Sequence, residues 1–229
     1  DCDFLVDQNI NHTASDYKAL VPKHCKVSTG PAFAILRNEF FEWRPKALDR
    51  RKTKDKVKRI FICLGGTDPN QLMIPVLKVL ESMAITQKID VAIGSGAAHI
   101  GEIEMFAENS WLDVSLHVDT KQVAKLMCHA DIGIGAGGTM LWERSALALP
   151  SVTLAFVKNQ IAASKAAGDL GITTCIIADK AGFDRIRFSH AIKRLLTDKT
   201  LRKRYIEKSA QMIDGRGARR IVIQIEALF

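Results

Sequence analysis

Glycines, threonines and one carboxylate in two short stretches carry most of the chemistry on offer in this sequence. "LGGTDPN" (64–70) and "GIGAGGTMLWE" (133–143) each close an apolar run and pass into a helix-forming segment. A nucleotide phosphate needs backbone N–H groups at close range, which a Cβ obstructs, and it is favoured by the open N-terminus of a helix. Gly137, Gly138 and Thr139 offer close approach, a helix start and a hydroxyl donor, and Gly65, Gly66 and Thr67 repeat the arrangement. Neither stretch has the GxxxxGKS or GxxxxGKT spacing of an ATPase P-loop. Neither opens the chain as GxGxxG with an acidic residue at the end of the next strand, as a dinucleotide site does. Glycines at strand–helix corners also serve plain tight turns. Two such corners on strands that lie side by side favour anion binding over that alternative.

Glu143 lies one turn into the helix that starts at Gly138 or Thr139. A carboxylate there accepts both hydroxyl hydrogens of a ribose while the helix start holds a diphosphate; taken alone, it also reads as an ordinary solvated helix residue. In "FVKNQ" (156–160), Asn159 and Gln160 fall between a strand end and a helix, where amides grip sugar hydroxyls by donating and accepting at once. Helix capping is the other use for Asn159. The six histidines and five cysteines are scattered, with no CxxC pair and no HExxH, so neither a metal nor a cofactor is expected. The cysteines read as buried free thiols of a reducing compartment, which places the protein in the cytoplasm.

These residues need a scaffold, and the pattern of segments predicts one. Six short, near-continuous apolar runs ("VKRIFICLGG", "IDVAIGSG", "WLDVSLHV", "DIGIGAG", "PSVTLAF" and "ITTCII") alternate with helical stretches, the pattern of an α/β protein with a parallel sheet covered on both faces. Asp68 is the expected N-cap of the helix after the first glycine corner, with Pro69 at its first position, and a further helix is expected over about 97–108. Two or three helices, broken near "DGRG" (214–217), finish the chain. No apolar run approaches the ~20 residues of a membrane-spanning helix.

Residues 1–43 read as a strand (Phe4–Val6), a short helix around Thr13–Leu20, a second strand near Lys26–Ser28 and a loop feeding a short apolar helical turn, the edge of a domain whose body lies elsewhere. Residues 44–59, "RPKALDRRKTKDKVKR", carry nine Lys or Arg against two Asp, which is nearly all of the chain's net charge of +8. That concentration excludes a protein-wide basic surface for nucleic acid. It reads as a solvated linker, with weak contact to an anionic partner or membrane surface as the alternative.

The stretches "LVDQN" (5–9), "GPAFAILRNEF" (30–40), "LGGTDPN" (64–70), "IGAGGTMLWER" (134–144), "LALPSVTLAFVKNQ" (147–160) and "DGRGARR" (214–220) together resemble the UDP-sugar hydrolases of pseudaminic acid biosynthesis. Those enzymes are similar to MurG-type transferases of the GT-B class, which have two facing Rossmann-like domains. The resemblance implies a UDP-linked 2,4-diacetamido-2,4,6-trideoxy-L-altrose as substrate, with UDP and the free sugar as products. It implies that Gly137, Gly138 and Thr139 face the diphosphate, Glu143 the ribose, Asn159 and Gln160 the sugar or its linkage, and His117 or Val118 the uracil, with Gly65 and Gly66 lining the interdomain cleft.

The family's base is a histidine in a Gly-x-Gly-His stretch of the N-terminal domain, and this sequence has none. His12, His24, His99, His117, His129 and His190 all stand in other contexts. No catalytic residue is therefore assigned. The expected organisation is a remnant of an N-terminal catalytic domain (1–43), the basic linker (44–59) and a Rossmann-like nucleotide-binding domain (60–229), the missing domain acting in cis and this chain inactive alone. A UDP-sugar-dependent transferase of the GT-B class and a non-catalytic sugar-nucleotide-binding module are the competing readings.

Overall fold

A computed structural model of the chain describes residues 2–53 and 55–228. Two strands, β1 (Phe4–Asp7) and β2 (Lys26–Thr29), pair in parallel as a separate small sheet. Helix α1 (Asn38–Thr53) then leads into the main body. There β3 (Arg59–Cys63), β4 (Lys88–Ile93), β5 (Val114–Val118), β6 (Ile132–Ala136), β7 (Ser151–Ala155) and β8 (Thr173–Asp179) run parallel. A two-residue edge strand, β9 (Gly182–Phe183), is antiparallel to β8.

The connecting helices are α2 (Met73–Ser82), α3 (Ile100–Asn109), α4 (Val123–His129), α5 (Thr139–Ala146) and α6 (Lys158–Asp169). Helices α7 (Arg185–Thr197), α8 (Lys199–Met212) and α9 (Gly217–Glu226) follow.

The strand order is β5-β4-β3-β6-β7-β8-β9. The chain builds outward from β3 to β5, then returns to lay β6 against the other side of β3. That reversal is a topological switch point, and ligands of doubly wound sheets sit beyond the carboxyl ends of the strands that flank one, here β3 and β6. Both glycine corners leave from those two strands, so the side-by-side placement expected from the sequence is met.

Each face of the sheet buries its own core, as the uninterrupted apolar strands require. Ile60, Ile62, Val91 and Ile134 pack under α2, α3 and α7 with Leu77, Leu80 and Phe188. Phe61, Cys63 and Ala92 pack on the opposite face with Phe40, Met127, Leu141 and Trp142.

The expectation for residues 44–59 needs correction. Much of the stretch is helical, and three of its arginines point inward. Arg51 donates to the carbonyl oxygens of Met127 (3.0 Å), Ala130 (2.8 Å) and Leu147 (3.1 Å). Arg50 reaches those of Cys128 (3.1 Å) and His129 (2.6 Å) and pairs with Asp131. Arg44 donates to Ala146 and, at 2.8 Å, to Ala210.

These oxygens belong to the last turns of α4, α5 and α8 or to the residues just beyond, where helix carbonyls lack intrahelical partners and the dipole is negative. The charges are there to close helix ends. Burial pushes the Arg51 guanidinium down to about 10. At the other end of the chain, α9 returns to the first unit: Gln224 meets Ser28 Oγ at 2.6 Å and Arg220 donates to Ala32 O at 2.9 Å.

Candidate functional site

The two corners look alike in sequence and are built differently. At the first, Gly65 takes φ +100° and neither Gly65 nor Gly66 meets any atom where a Cβ would stand. Gly66 O accepts from Gly94 N at 2.7 Å, tying this corner to the loop after β4. Asp68, fully buried at φ 40°, accepts from Leu72 N (3.1 Å) and Met73 N (2.8 Å) and pairs with buried His99 Nε2 at 3.1 Å. Asp68 does cap α2, but across a loop, because the helix starts at Met73. Pro69 lies in that loop, and Pro75 falls in the first turn, where a missing N–H costs least. The start of α2 thus already holds a carboxylate of its own.

At the second corner no side chain caps α5, and among the described residues the N–H groups of Gly137, Gly138 and Thr139 have no protein acceptor. Gly138 takes φ 66° and ψ −145°, a conformation essentially reserved for glycine. The bend is overlaid from α6: a Cβ on Gly137 would stand 2.6 Å from Ser164 Oγ, and one on Gly138 2.6 Å from Gln160 Nε2. Both side chains keep a buried polar atom without partner, Gln160 Oε1 and Ser164 Oγ. The structure therefore brings Gln160 over the Gly137–Gly138 bend, and Asn159 stands exposed beside it in the first turn of α6.

Glu143 is not a solvated helix residue: it is 6% exposed. Its Oε1 faces Arg37 Nη2 at 3.4 Å and its Oε2 has no partner. Burial pushes its carboxyl above the usual range, against the opposing charges of Arg37 and Arg144. Arg37 also contacts Glu39 at 2.9 Å and stacks 5.2 Å from the Phe40 ring centre. Its segment, "AILRNEF", was legible as a motif, but no spacing announced that Arg37 would meet Glu143 across the sequence.

Arg144 was missed as well. It is wholly buried and its Nη2 donates to Ala136 O (2.8 Å) and Thr153 Oγ1 (2.9 Å), while Nε and Nη1 have no acceptor. Burial lowers its guanidinium to about 10. A Cβ on Gly135 would fall on that guanidinium, and one on Gly133 would stand 3.2 Å from Arg144 Cδ. Two glycines of "GIGAGG" thus make room for an arginine and take no part in phosphate approach.

His117 lies on the outer strand, three strand spacings or about 14 Å from β6. Its Nε2 is 2.9 Å from Asp90 Oδ1, and Arg59 holds Asp90 Oδ2 at 2.8 Å, so the ring belongs to a ladder of charges across β3, β4 and β5. Val118, beside it, is 39% exposed.

The cysteine expectation holds for Cys63 and Cys128, which are buried. Cys2, Cys25 and Cys175 are only partly so, and Cys2 and Cys25 bring their sulfurs to 3.4 Å. Among the described residues no group of three or more His, Cys, Asp or Glu is placed to hold a metal ion, and no helix is long and apolar enough to cross a membrane.

Two cavities of about 810 and 330 Å³ open at the opposite pole of the sheet, lined by residues such as Lys58, Lys88 and Lys125, and Arg51, Lys199 and Arg202. They lie at the amino ends of the strands, away from both glycine corners.

Comparison with known proteins follows the same geometry. The chain aligns with MurG of Acinetobacter baumannii at a TM-score of 0.65 and 17% identity, covering 97% of this chain and 66% of that one. It aligns with Os79 of O. sativa, solved in complex with UDP, at 0.62 and 13%, covering 93% and 52%. The fold is of the GT-B type. In sequence it is 30% identical over 159 residues to the UDP-2,4-diacetamido-2,4,6-trideoxy-beta-L-altropyranose hydrolase of Campylobacter jejuni, covering 69% of this chain and 54% of that protein. It is 24% identical to the spore coat polysaccharide biosynthesis protein SpsG of Bacillus subtilis, covering 97% of this chain and 65% of SpsG. The resemblance read from the sequence stands. The chain spans between half and two-thirds of the length of these two relatives, and no family model matches it.

Proposed function

We propose that this GT-B-type chain binds a UDP-sugar in the crevice beyond β3 and β6, as the nucleotide-binding part of a hydrolase that releases UDP and a free diacetamido-trideoxy-hexose. One observation carries the reading. Among the described residues, the buried side-chain polar atoms without partner sit on Glu143, Arg144, Gln160 and Ser164, while Glu39 Oε1 has the ion pair with Arg37 at 2.9 Å and no hydrogen bond. Glu39 and Glu143 share Arg37, Arg144 lies against Gly135, and Gln160 and Ser164 lie over Gly137. Buried polar groups are normally satisfied, and leaving one unmade costs about 1–3 kcal/mol. Such a concentration at the uncapped start of α5 fits a polar ligand that supplies the partners.

In this reading the amides of Gly137, Gly138 and Thr139 and the α5 dipole stabilise the departing diphosphate. Glu143 accepts from the ribose hydroxyls, Arg37 adds a cation at the mouth, and Gln160 and Asn159 face the sugar side. Water is the nucleophile: if its oxygen bonds to the anomeric carbon, the C–O bond breaks and UDP leaves with the electron pair; if it bonds to the phosphorus, the P–O bond to the sugar breaks and the sugar oxygen leaves with the pair and takes up a proton. The proton of that water needs a base, and no residue of this site is assigned to take it. His99 is spent on Asp68, and His117 on Asp90. We place the base on a facing N-terminal domain, of which residues 1–43 are the last part.

Intact protein incubated with the UDP-sugar in [18O]water is expected to give UDP and free sugar without any added acceptor, with the label reporting which bond breaks. The MurG-like fold favours a second reading, a GT-B transferase. Turnover that appears only with a sugar or lipid acceptor would establish that reading and end the first.

A further inference from the structure

The buried guanidinium of Arg144 is unusually placed for a helix residue. It crosses beneath α5, lies against Gly135 of β6 and donates to Ala136 O at 2.8 Å and Thr153 Oγ1 at 2.9 Å. Thr153 is paired in register with Gly135 on the neighbouring strand. Its hydroxyl is 2.8 Å from that of Thr173, which donates to Ser151 O at 2.7 Å. The arginine is thus anchored by a chain of buried hydroxyls spanning β7 and β8.

Ala136 is the last residue of β6, and its carbonyl belongs to the same peptide as the Gly137 N–H. In a planar trans peptide the C=O and N–H point opposite ways. Fixing Ala136 O on the guanidinium therefore turns the Gly137 N–H away from Arg144 and from its hydrogen-bonded network. The charge also sits directly behind the bend, wholly buried, so solvent screens it little. The glycines at 133 and 135 leave no Cβ in the space that Arg144 occupies.

We propose that Arg144 is the positioning residue of the anion site: through Ala136 O it sets the orientation of the Gly137 amide toward the diphosphate and backs that amide with a buried positive charge. It does not touch the nucleotide. The proposal rests on the UDP-sugar reading above, and the experiment separates the two.

Amide resonances of Gly137 and Gly138 are followed in wild type and Arg144→Lys, first free and then titrated with UDP and with uridine. In wild type both amides shift on UDP addition; unshifted amides with no measurable UDP affinity overturn the nucleotide reading itself, and Arg144 falls with it. In Arg144→Lys the Gly137 amide is already displaced in the free protein, UDP affinity drops at least tenfold and uridine affinity changes less than twofold. A merely structural arginine lowers the melting temperature and weakens both ligands by the same factor. That result, or unchanged UDP affinity and an unmoved Gly137 amide, overturns the proposal while leaving the nucleotide reading intact. If Arg144→Lys does not fold, Thr153→Val, which removes one acceptor of the guanidinium and the hydroxyl contact with Thr173, takes its place. It is expected to shift the Gly137 amide and cost UDP two- to fivefold with uridine unchanged, and equal losses there are equally fatal.

Discussion

"LGGTD" and "AGGTM" follow adjacent strands of one sheet, share Gly-Gly-Thr and each run toward a helix, yet only the helix after the second lacks a carboxylate at its start. The residue after the threonine makes the difference. Asp68 is buried, satisfies Leu72 N and Met73 N, and pairs with His99, so the start of α2 is neutralised from within. Met140 occupies the same place after Thr139 and has nothing to offer an amide. A helix N-terminus with its own carboxylate and one without are electrostatically opposite objects, although their glycines look the same. The glycines differ in purpose too. Gly66 packs its carbonyl on Gly94, whereas Gly138 holds a conformation that other residues rarely adopt.

The largest effect separating the corners is expected from their glycines. Gly138→Ala forces a positive φ on a residue with a Cβ and pushes against Gln160, strain of about 1–3 kcal/mol that the bend sheds by moving its amides, so UDP affinity should fall by up to about 100-fold. Gly66→Ala meets open space at an ordinary φ and should change it less than about threefold. Calorimetry on both variants decides, and equal losses would erase the distinction between the corners.

Next comes a transplant. Met140→Asp puts a carboxylate into the first turn of α5 and should weaken UDP by about 10-fold or more through repulsion, while raising stability by up to about 1 kcal/mol. A variant that binds UDP as wild type does would show that the dipole end is not where the phosphates sit.

The converse, Asp68→Asn, should cost about 1–3 kcal/mol of stability with UDP affinity unchanged, read by chemical denaturation beside the titration. An affinity loss matching that of Gly138→Ala would make the first corner part of the binding site.

The smallest and subtlest effect concerns Glu143. Its carboxyl is raised by burial above its ordinary value of 4.5, so the folded protein binds a proton more readily than the unfolded chain does. The stability this contributes is fully present below 4.5 and is lost as the pH rises through the folded value. Glu143→Gln should therefore gain on wild type in melting temperature across weakly acid pH, by an amount equivalent to about 1 kcal/mol at neutrality, while UDP binding weakens and inorganic phosphate binding does not. Parallel melting curves for the two proteins across that range would remove the assignment of Glu143 as an uncompensated buried carboxylate.

The body of the fold was legible because its strands are apolar throughout and its helices alternate with them, a local pattern that long-range contacts only complete. The α5 corner was legible for the same reason: Gly137, Gly138 and Glu143 hold a fixed spacing along one strand–helix junction. The stretch 44–59 was misread as a solvated linker because a run of charge is ordinarily solvated, and nothing local marks Arg44, Arg50 and Arg51 as closing the ends of other helices. Gly133 and Gly135 were read only as part of the strand "DIGIGAG", with nothing local to show that they make room for the side chain of a residue on the next helix. His117 lies within β5, and its partner Asp90 on the neighbouring strand decides what its ring does.

By itself the sequence determined the parallel α/β class, the two glycine corners and the carboxylate one turn inside the second, since each is a matter of neighbours within a few residues. Only the tertiary structure decided which helix start finds a carboxylate, and which arginines find acceptors and which keep unpartnered N–H groups. Those outcomes depend on carbonyls, amides and hydroxyls brought together from distant segments, and a buried polar group is defined by the partners it finds there.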